Sequence, residues 1–191
     1  MSCRFTFSWA DVGNTVPYPP CRSGKRNNRG FSDLRGRPND AAVIAECRDS
    51  EELKHWLIAL AEIGSPIFSL GCDIGTYRRR KAVQHQYATG GYVQLLATDY
   101  ASRDDADYRS LAERLAAAVE LAAELEDWEA SFLLQTVQLN LDGYRDEVTS
   151  LSVEFNAWAA SAAAAKASRE RLVRALRLAC SSDTIFGTVL T

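Results

Sequence analysis

The sequence predicts an α+β protein in which helices cover one face of an antiparallel sheet of about five strands. Three observations lead to this fold class. Some segments repeat apolar residues at helical spacing, shorter segments alternate apolar and polar residues, and the order helix, strand, strand occurs twice. Alternating segments are typical of antiparallel strands with one face against a core. The expected order is β-αββ-αββ-α, and a ferredoxin-like sandwich with additional elements fits it best.

The first copy of this pattern begins with an amphipathic helix. Asp49 or Ser50 can cap its first turn, and Gly64 followed by Pro66 ends it. Its apolar stripe consists of Leu53, Trp56, Leu57, Leu60 and Ile63. Because these residues recur at intervals of three and four, they share one face and predict contact with a core.

Two strands complete the first copy. Residues 68–74 alternate, with Phe68, Leu70, Cys72 and Ile74 on the apolar side. A second alternating run covers residues 92–100, and the pair Gly90-Gly91 before it predicts a turn. Residues 78–89, which lie between these two strands, are predicted to form a polar connection.

The second copy starts near Ser102 or Asp104 with a longer helix that reaches Asp127. Two alternating strands follow, over residues 132–141 and 150–157, joined through the turn signal Asp142-Gly143. A closing helix covers residues 159–179. Residues 4–9 read as one further strand, whose aromatic residues Phe5, Phe7 and Trp9 are expected to point inward.

Length and composition indicate a single domain over residues 1–191. The chain is 47% hydrophobic with a mean hydropathy of −0.21, and no apolar run approaches the roughly 20 residues of a membrane span. The first residues lack the apolar stretch of a signal peptide, and the five cysteines include no pair at metal-ligand spacing. We therefore expect a cytoplasmic protein without metal or cofactor.

Charge is distributed unevenly over a chain whose net charge is −3. Basic residues concentrate in residues 21–38, in residues 78–81 and on the closing helix, whereas residues 104–129 hold nine acids and two Arg. The 18 Arg, 4 Lys and 28 Ala suggest a GC-rich coding genome, and hence a bacterial or phage origin. The basic clusters either bind a nucleic-acid backbone or are solvated faces, and the negative net charge favours the second interpretation.

Residues 10–41 stand out as a long basic segment rich in Pro, Gly and Asn, without apolar periodicity. Loops of this length are uncommon inside compact domains and are usually functional or disordered. Its arginines and its few aromatic residues are consistent with a binding arm.

Candidate catalytic groups are few and carry no recognisable motif. No glycine pattern matches a nucleotide-binding loop. Carboxylates that can face each other across strands are Asp73, Asp99, Asp142 and Glu154, of which Asp73 and Glu154 lie on polar strand faces. His85 lies beside a basic cluster, without a carboxylate or nucleophile near it in the sequence, and Cys72 reads as a buried, inert thiol.

These observations favour binding over catalysis. We expect a protein that binds another protein as an inhibitor, an immunity or anti-defence factor, or an adaptor; an RNA- or DNA-binding module and a small enzyme with carboxylates on an open sheet face are the alternatives. The candidate partner-binding residues are Arg26, Arg29, Arg35, Arg37, Arg78, Arg79, Arg80, Glu120, Glu124, Asp127 and Trp128. Trp128 belongs to this set only if its side chain is exposed.

Overall fold

A computed structural model describes residues 4–10, 14–23, 26–78, 87–121 and 127–181 of the chain. Its helices are α1 (Glu51–Ala61), α2 (Asp105–Leu121) and α3 (Ala162–Cys180). Its strands are β1 (Arg4–Ala10), β2 (Thr15–Val16), β3 (Cys21–Ser23), β4 (Arg26–Asn28), β5 (Ile67–Arg78), β6 (Tyr87–Ala97), β7 (Trp128–Leu141) and β8 (Tyr144–Ala159). Short 3-10 turns cover Pro38–Val43, Ala45–Arg48 and Tyr100–Ser102. The fold class is α+β, as predicted.

The main sheet is mixed, and the prediction of a purely antiparallel sheet is wrong. Its strand order is β1-β7-β8-β6-β5, and both β1 and β2 run parallel to β7. The order of a ferredoxin-like sandwich is not confirmed. Alternation along β1 reports which side chains share a face, but it carries no information about the direction of a partner strand more than one hundred residues away.

Local signals place the starts of α1 and α2 and the last hairpin correctly, whereas α3 begins at Ala162 and not at the predicted residue 159. The Ser50 hydroxyl accepts a hydrogen bond from the Leu53 amide at 3.1 Å, and Asp104 caps α2 by accepting from the amide of Ala106 at 2.9 Å. The predicted turn joins β7 to β8 with positive φ angles of 55° at Asp142 and 82° at Gly143.

The pair Gly90-Gly91 lies inside β6, and the turn predicted there is wrong. Gly90 pairs with Gly75 of β5 and Asn156 of β8, and a Cβ at Gly90 would overlap the Asn156 side chain. A Cβ at Gly91 would overlap the Asp73 backbone. These glycines allow three strands to approach closely, which is a second structural reason for glycine besides turns.

The three helices pack on one face of the sheet. Arg169 of α3 donates to the Thr89 hydroxyl at 2.9 Å, so Thr89 and its same-face neighbours Val93 and Leu95 point toward the helices. Within β1, the expectation of inward aromatic residues is wrong for Phe7 and Trp9, which are 40% and 47% exposed. They face the helix side, but β1 is an edge strand and the helices leave it largely uncovered.

An N-terminal arm, which we define as residues 14–37, covers part of the opposite face of the sheet. Val16 is fully buried, and the Tyr18 hydroxyl donates to the Leu70 carbonyl at 3.3 Å. The Arg35 guanidinium lies 4.7 Å from the centre of the Phe68 ring. The arm contains β2 and the small β3–β4 hairpin. The segment predicted as a loop therefore contacts the sheet through Val16, Tyr18 and Arg35.

Candidate functional site

A row of side chains crosses all five long strands on the sheet face that points away from the helices. We call Thr6, Ser131, Glu154, Tyr92 and Asp73 the polar row. Each member is the register partner of the next, from β1 through β7, β8 and β6 to β5. Thr6, Glu154 and Asp73 are exposed, and Ser131 and Tyr92 are half-buried. Because paired residues on neighbouring strands point to the same side, the row forms one continuous surface.

The arm delimits this surface along one side. A Cβ at Gly71 would lie 2.7 Å from the Tyr18 hydroxyl, which places Tyr18 on the same face, directly next to the polar row. On the same face, Gln94 donates to the Ser150 hydroxyl at 2.9 Å, and both Gln94 and Ser150 are buried. The sequence predicted an open polar sheet face, and the structure shows that the arm covers part of it.

Tyr92 lies between the two carboxylates of the polar row, Glu154 and Asp73. Burial, with smaller contributions from the nearby Tyr18 and Asp73, raises its pKa to about 12. The phenol therefore stays protonated at neutral pH and can donate a hydrogen bond. With strands about 4.8 Å apart, the Cα atoms of Asp73 and Glu154 lie about 10 Å from each other across Tyr92.

The structure separates the four carboxylates that the sequence singled out. Asp73 and Glu154 share the polar row, whereas Asp99 binds Arg103 at 2.6 Å and Asp142 binds Arg35 at 2.6 Å. The hydrogen bond from Arg103 lowers the pKa of Asp99. Asp99 and Asp142 thus form structural ion pairs. The two remaining carboxylates, Asp73 and Glu154, are exposed and can accept hydrogen bonds from cationic side chains.

The other candidate catalytic groups do not join this row. His55 is exposed on α1, and His85 lies outside the described residues. Cys72 is half-buried, and burial strongly raises its pKa, with the Glu46 carboxylate adding to the effect. A protonated thiol is a poor nucleophile. Within the described residues, no group of three or more His, Cys, Asp or Glu side chains is arranged to hold a metal ion.

The arginines of the arm differ in their availability to a partner. Arg35 is three-quarters buried and binds Asp33 at 2.7 Å in addition to Asp142. Arg37 donates to the Asp33 carbonyl and lies 3.5 Å from Asp40, although it is largely exposed. Arg29 is exposed. The Arg26 and Arg78 side chains, and the whole of Arg79 and Arg80, lie outside the described residues.

The basic residues of α3 are mostly committed to contacts within the protein. Arg169 is 2% exposed, and Arg174 and Arg177 bind Glu52 of α1 at 2.8 and 3.2 Å. These pairs hold α3 against α1. The closing helix therefore does not present a row of free arginines to a nucleic-acid backbone.

The acidic candidates at the end of α2 are only partly described. Glu120 is exposed on α2, Glu124 lies outside the described residues, and Asp127 is half-buried directly before β7. Trp128 is 1% exposed. The condition for Trp128 to anchor a partner is not met, because its side chain belongs to the hydrophobic core.

Sequence reasoning singled out Asp73 and Glu154 but missed Tyr18, Tyr92 and Ser131. An aromatic residue at a polar position of β6 is the signal that could have identified Tyr92. The alignment of the row depends on strand register, which the alternation alone does not specify.

No protein-family model, curated protein or solved structure matches this chain. In the described parts of the chain, no helix is both long and apolar enough to cross a membrane.

Proposed function

We propose that this protein is a cytoplasmic protein of bacterial or phage origin that acts by binding another protein, as an inhibitor, an immunity or anti-defence factor, or an adaptor. The observation that carries the proposal is the polar row, a surface in register across five strands with Glu154 and Asp73 exposed on both sides of Tyr92. Tyr92 and Glu154 lie on strands that are paired on both sides, which provides a rigid support, so a partner meets a preorganised surface.

The composition of this surface favours a basic partner. Glu129 lies on the same face of β7 as Ser131 and is half-buried, which adds a third carboxylate near the row. Carboxylates form short, charge-assisted hydrogen bonds with Arg and Lys, and a half-buried tyrosine is a residue type that is enriched at the centre of interfaces. We infer that Tyr92 is the contact centre and that Asp73 and Glu154 orient cationic side chains of the partner.

The first experiment is to purify the tagged full-length chain from its native cells at moderate salt and to identify what accompanies it by mass spectrometry. A stoichiometric protein that resists nuclease treatment is the expected result. Nucleic acid that leaves with salt, without a protein partner, would contradict the proposal and favour the nucleic-acid-binding alternative.

Three charge variants then locate the contact surface on that partner complex. The double variant Asp73→Asn with Glu154→Gln is expected to weaken binding at least about tenfold, since each lost charge-assisted bond contributes roughly 1.5 to 3 kcal/mol. The matched control Glu62→Gln with Glu147→Gln removes two exposed charges elsewhere and should bind normally. A third variant neutralises Glu120, Glu124 and Asp127. If only this third variant loses binding, the acidic helix and not the polar row is the contact surface.

A further inference from the structure

The two edges of the main sheet are protected to very different degrees. The edge strand β5 has an irregular register between Ser69 and Gly71, and the Tyr18 hydroxyl binds the Leu70 carbonyl there. It also carries the exposed, charged Asp73. Bulges, covering side chains and charges are the features by which natural sheets prevent pairing with another chain.

The edge strand β1 is less protected, because it has no bulge against β7 and its one charged residue, Arg4, lies at its first position. Thr6, Phe7, Ser8 and Trp9 are all exposed, on both faces of the sheet. Its register with β7 runs without a shift from Arg4 to Ala10, and residues 5–10 contain neither a charged residue nor proline. In the described part of the chain no strand pairs with its outer edge. Two exposed aromatic side chains on an open strand favour association with another strand.

The residue order of β1 is complementary to itself. In an antiparallel pair related by a two-fold axis at Ser8, Phe7 lies opposite the partner subunit's Trp9, and Trp9 lies opposite the partner's Phe7. Aromatic residues therefore meet on one face, and small or hydroxyl-bearing residues meet on the other. Directly opposed aromatic pairs are among the favourable cross-strand pairs.

From this complementarity we propose that a second copy of the chain pairs with β1 in the antiparallel register centred on Ser8. The two sheets then continue through the paired β1 strands into one sheet. Arg109 of α2 already lies 4.4 Å from the centre of the Phe7 ring, and in the dimer this cation borders the partner subunit's Trp9 as well. The polar rows of both copies lie on the same face of the joined sheet. The inference does not depend on the proposed function.

Analytical ultracentrifugation of the full-length protein over a range of concentrations tests the proposal. The wild-type chain should sediment as a dimer. Ser8→Lys places two ammonium groups opposite each other at the two-fold axis and should raise the dimer dissociation constant at least about tenfold. Ser32→Lys makes the same change at an exposed position of the arm and should leave the dimer intact. A wild-type chain that remains monomeric, or a Ser8→Lys dimer of unchanged affinity, overturns the proposal.

A cross-linking variant tests the register without disturbing the fold. Because residue 8 faces its own copy across the axis, chains with Ser8→Cys should form a disulfide-linked dimer under mild oxidation, as seen on a non-reducing gel. Wild type and Ser32→Cys give the background from other thiols, including the exposed Cys21. Cross-linking of Ser8→Cys at the background level contradicts the register centred on Ser8.

Discussion

Arg35 links the arm to two distant parts of the chain. Its guanidinium lies over Phe68, binds Asp33 within the arm and binds Asp142 at the tip of the β7–β8 hairpin. The hydrogen bond from Arg35 lowers the pKa of Asp33. Arg35, which the sequence analysis assigned to partner binding, thus has a structural role, because its guanidinium contacts Asp33, Asp142 and Phe68 within the protein.

Replacing Arg35 should therefore destabilise the protein. We expect Arg35→Met to lower the free energy of unfolding by about 1 to 3 kcal/mol, since it removes charge-assisted hydrogen bonds and a cation–π contact. Urea denaturation followed by circular dichroism measures the change. Arg29→Met, at an exposed position of the same arm, should change stability by less than about 0.5 kcal/mol. Equal losses in the two variants would rule out the anchoring role of Arg35.

Two paired glycines in the sheet have opposite requirements for space. Gly75 and Gly90 are register partners, but a Cβ at Gly75 meets no atom within 4 Å, whereas a Cβ at Gly90 overlaps the Asn156 side chain and the Phe155 backbone. We expect Gly75→Ala to be neutral or stabilising by up to about 1 kcal/mol and Gly90→Ala to cost about 3 kcal/mol or more. Thermal unfolding of the two variants provides the comparison, and a tolerated Gly90→Ala would show that β6 and β8 are not held this closely.

At the scale of elements, a polar network joins α3 to both α1 and the sheet. The buried Arg169 donates to the Thr89 hydroxyl and, at 2.6 Å, to the Asp49 carbonyl just before α1. Glu170 binds Arg169 at 2.8 Å and accepts from the Glu52 amide in the first turn of α1. The network therefore fixes the position of the N-terminus of α1 relative to α3 and β6.

Loss of Arg169 should loosen this arrangement. Arg169→Met keeps much of the buried volume but removes the donor to the Asp49 carbonyl and the cation beside the Glu170 carboxylate, so we expect a loss of about 2 to 4 kcal/mol. Arg171→Met changes an exposed arginine of the same helix and is the control. Chemical denaturation measures both, and hydrogen exchange of α1 should rise selectively in Arg169→Met. Unchanged exchange in α1 would mean that the network does not position that helix.

At the scale of the whole molecule, two buried thiols and a half-buried phenol are held in their neutral forms. Burial raises the pKa of Cys47 to about 11 and that of Cys180 to about 12, and it raises the pKa of Tyr92 to about 12. The usual values are near 8.5 for cysteine and near 10 for tyrosine. At a pH between the pKa of such a group in the unfolded chain and its pKa in the folded chain, the group has released its proton in the unfolded chain but still binds it in the folded chain.

Stability should therefore fall at alkaline pH. The unfolded state binds fewer protons than the folded state above about pH 8.5, so the free energy of unfolding decreases as pH rises through the window between pH 9 and 12. The melting temperature measured from pH 7 to pH 11 should decline from about pH 9 onward.

Labelling with a thiol reagent at pH 8, mapped by mass spectrometry, should modify Cys21 before Cys47 and Cys180. A flat melting profile together with rapid labelling of Cys47 would contradict the assigned burial.

Local chemistry by itself determined the class of fold, the starts of α1 and α2 and the Asp142-Gly143 hairpin. Each depends on residues close together in the chain, such as Ser50 and Leu53, and their interactions need no knowledge of the rest of the molecule. Side-chain alternation also separated the polar residues Asp73 and Glu154 from the apolar face. These features are therefore readable from the amino-acid order alone.

Only the tertiary structure decided the parallel pairing of β1 with β7, the placement of Gly90 within a strand and the cover that the arm gives to part of the polar face. It also placed Asp73 and Glu154 on both sides of Tyr92 while committing Arg35 to Asp142. Each of these outcomes depends on pairing between residues far apart in the chain. The free energy of such a pairing depends on register, burial and competing partners, which are properties of the assembled sheet.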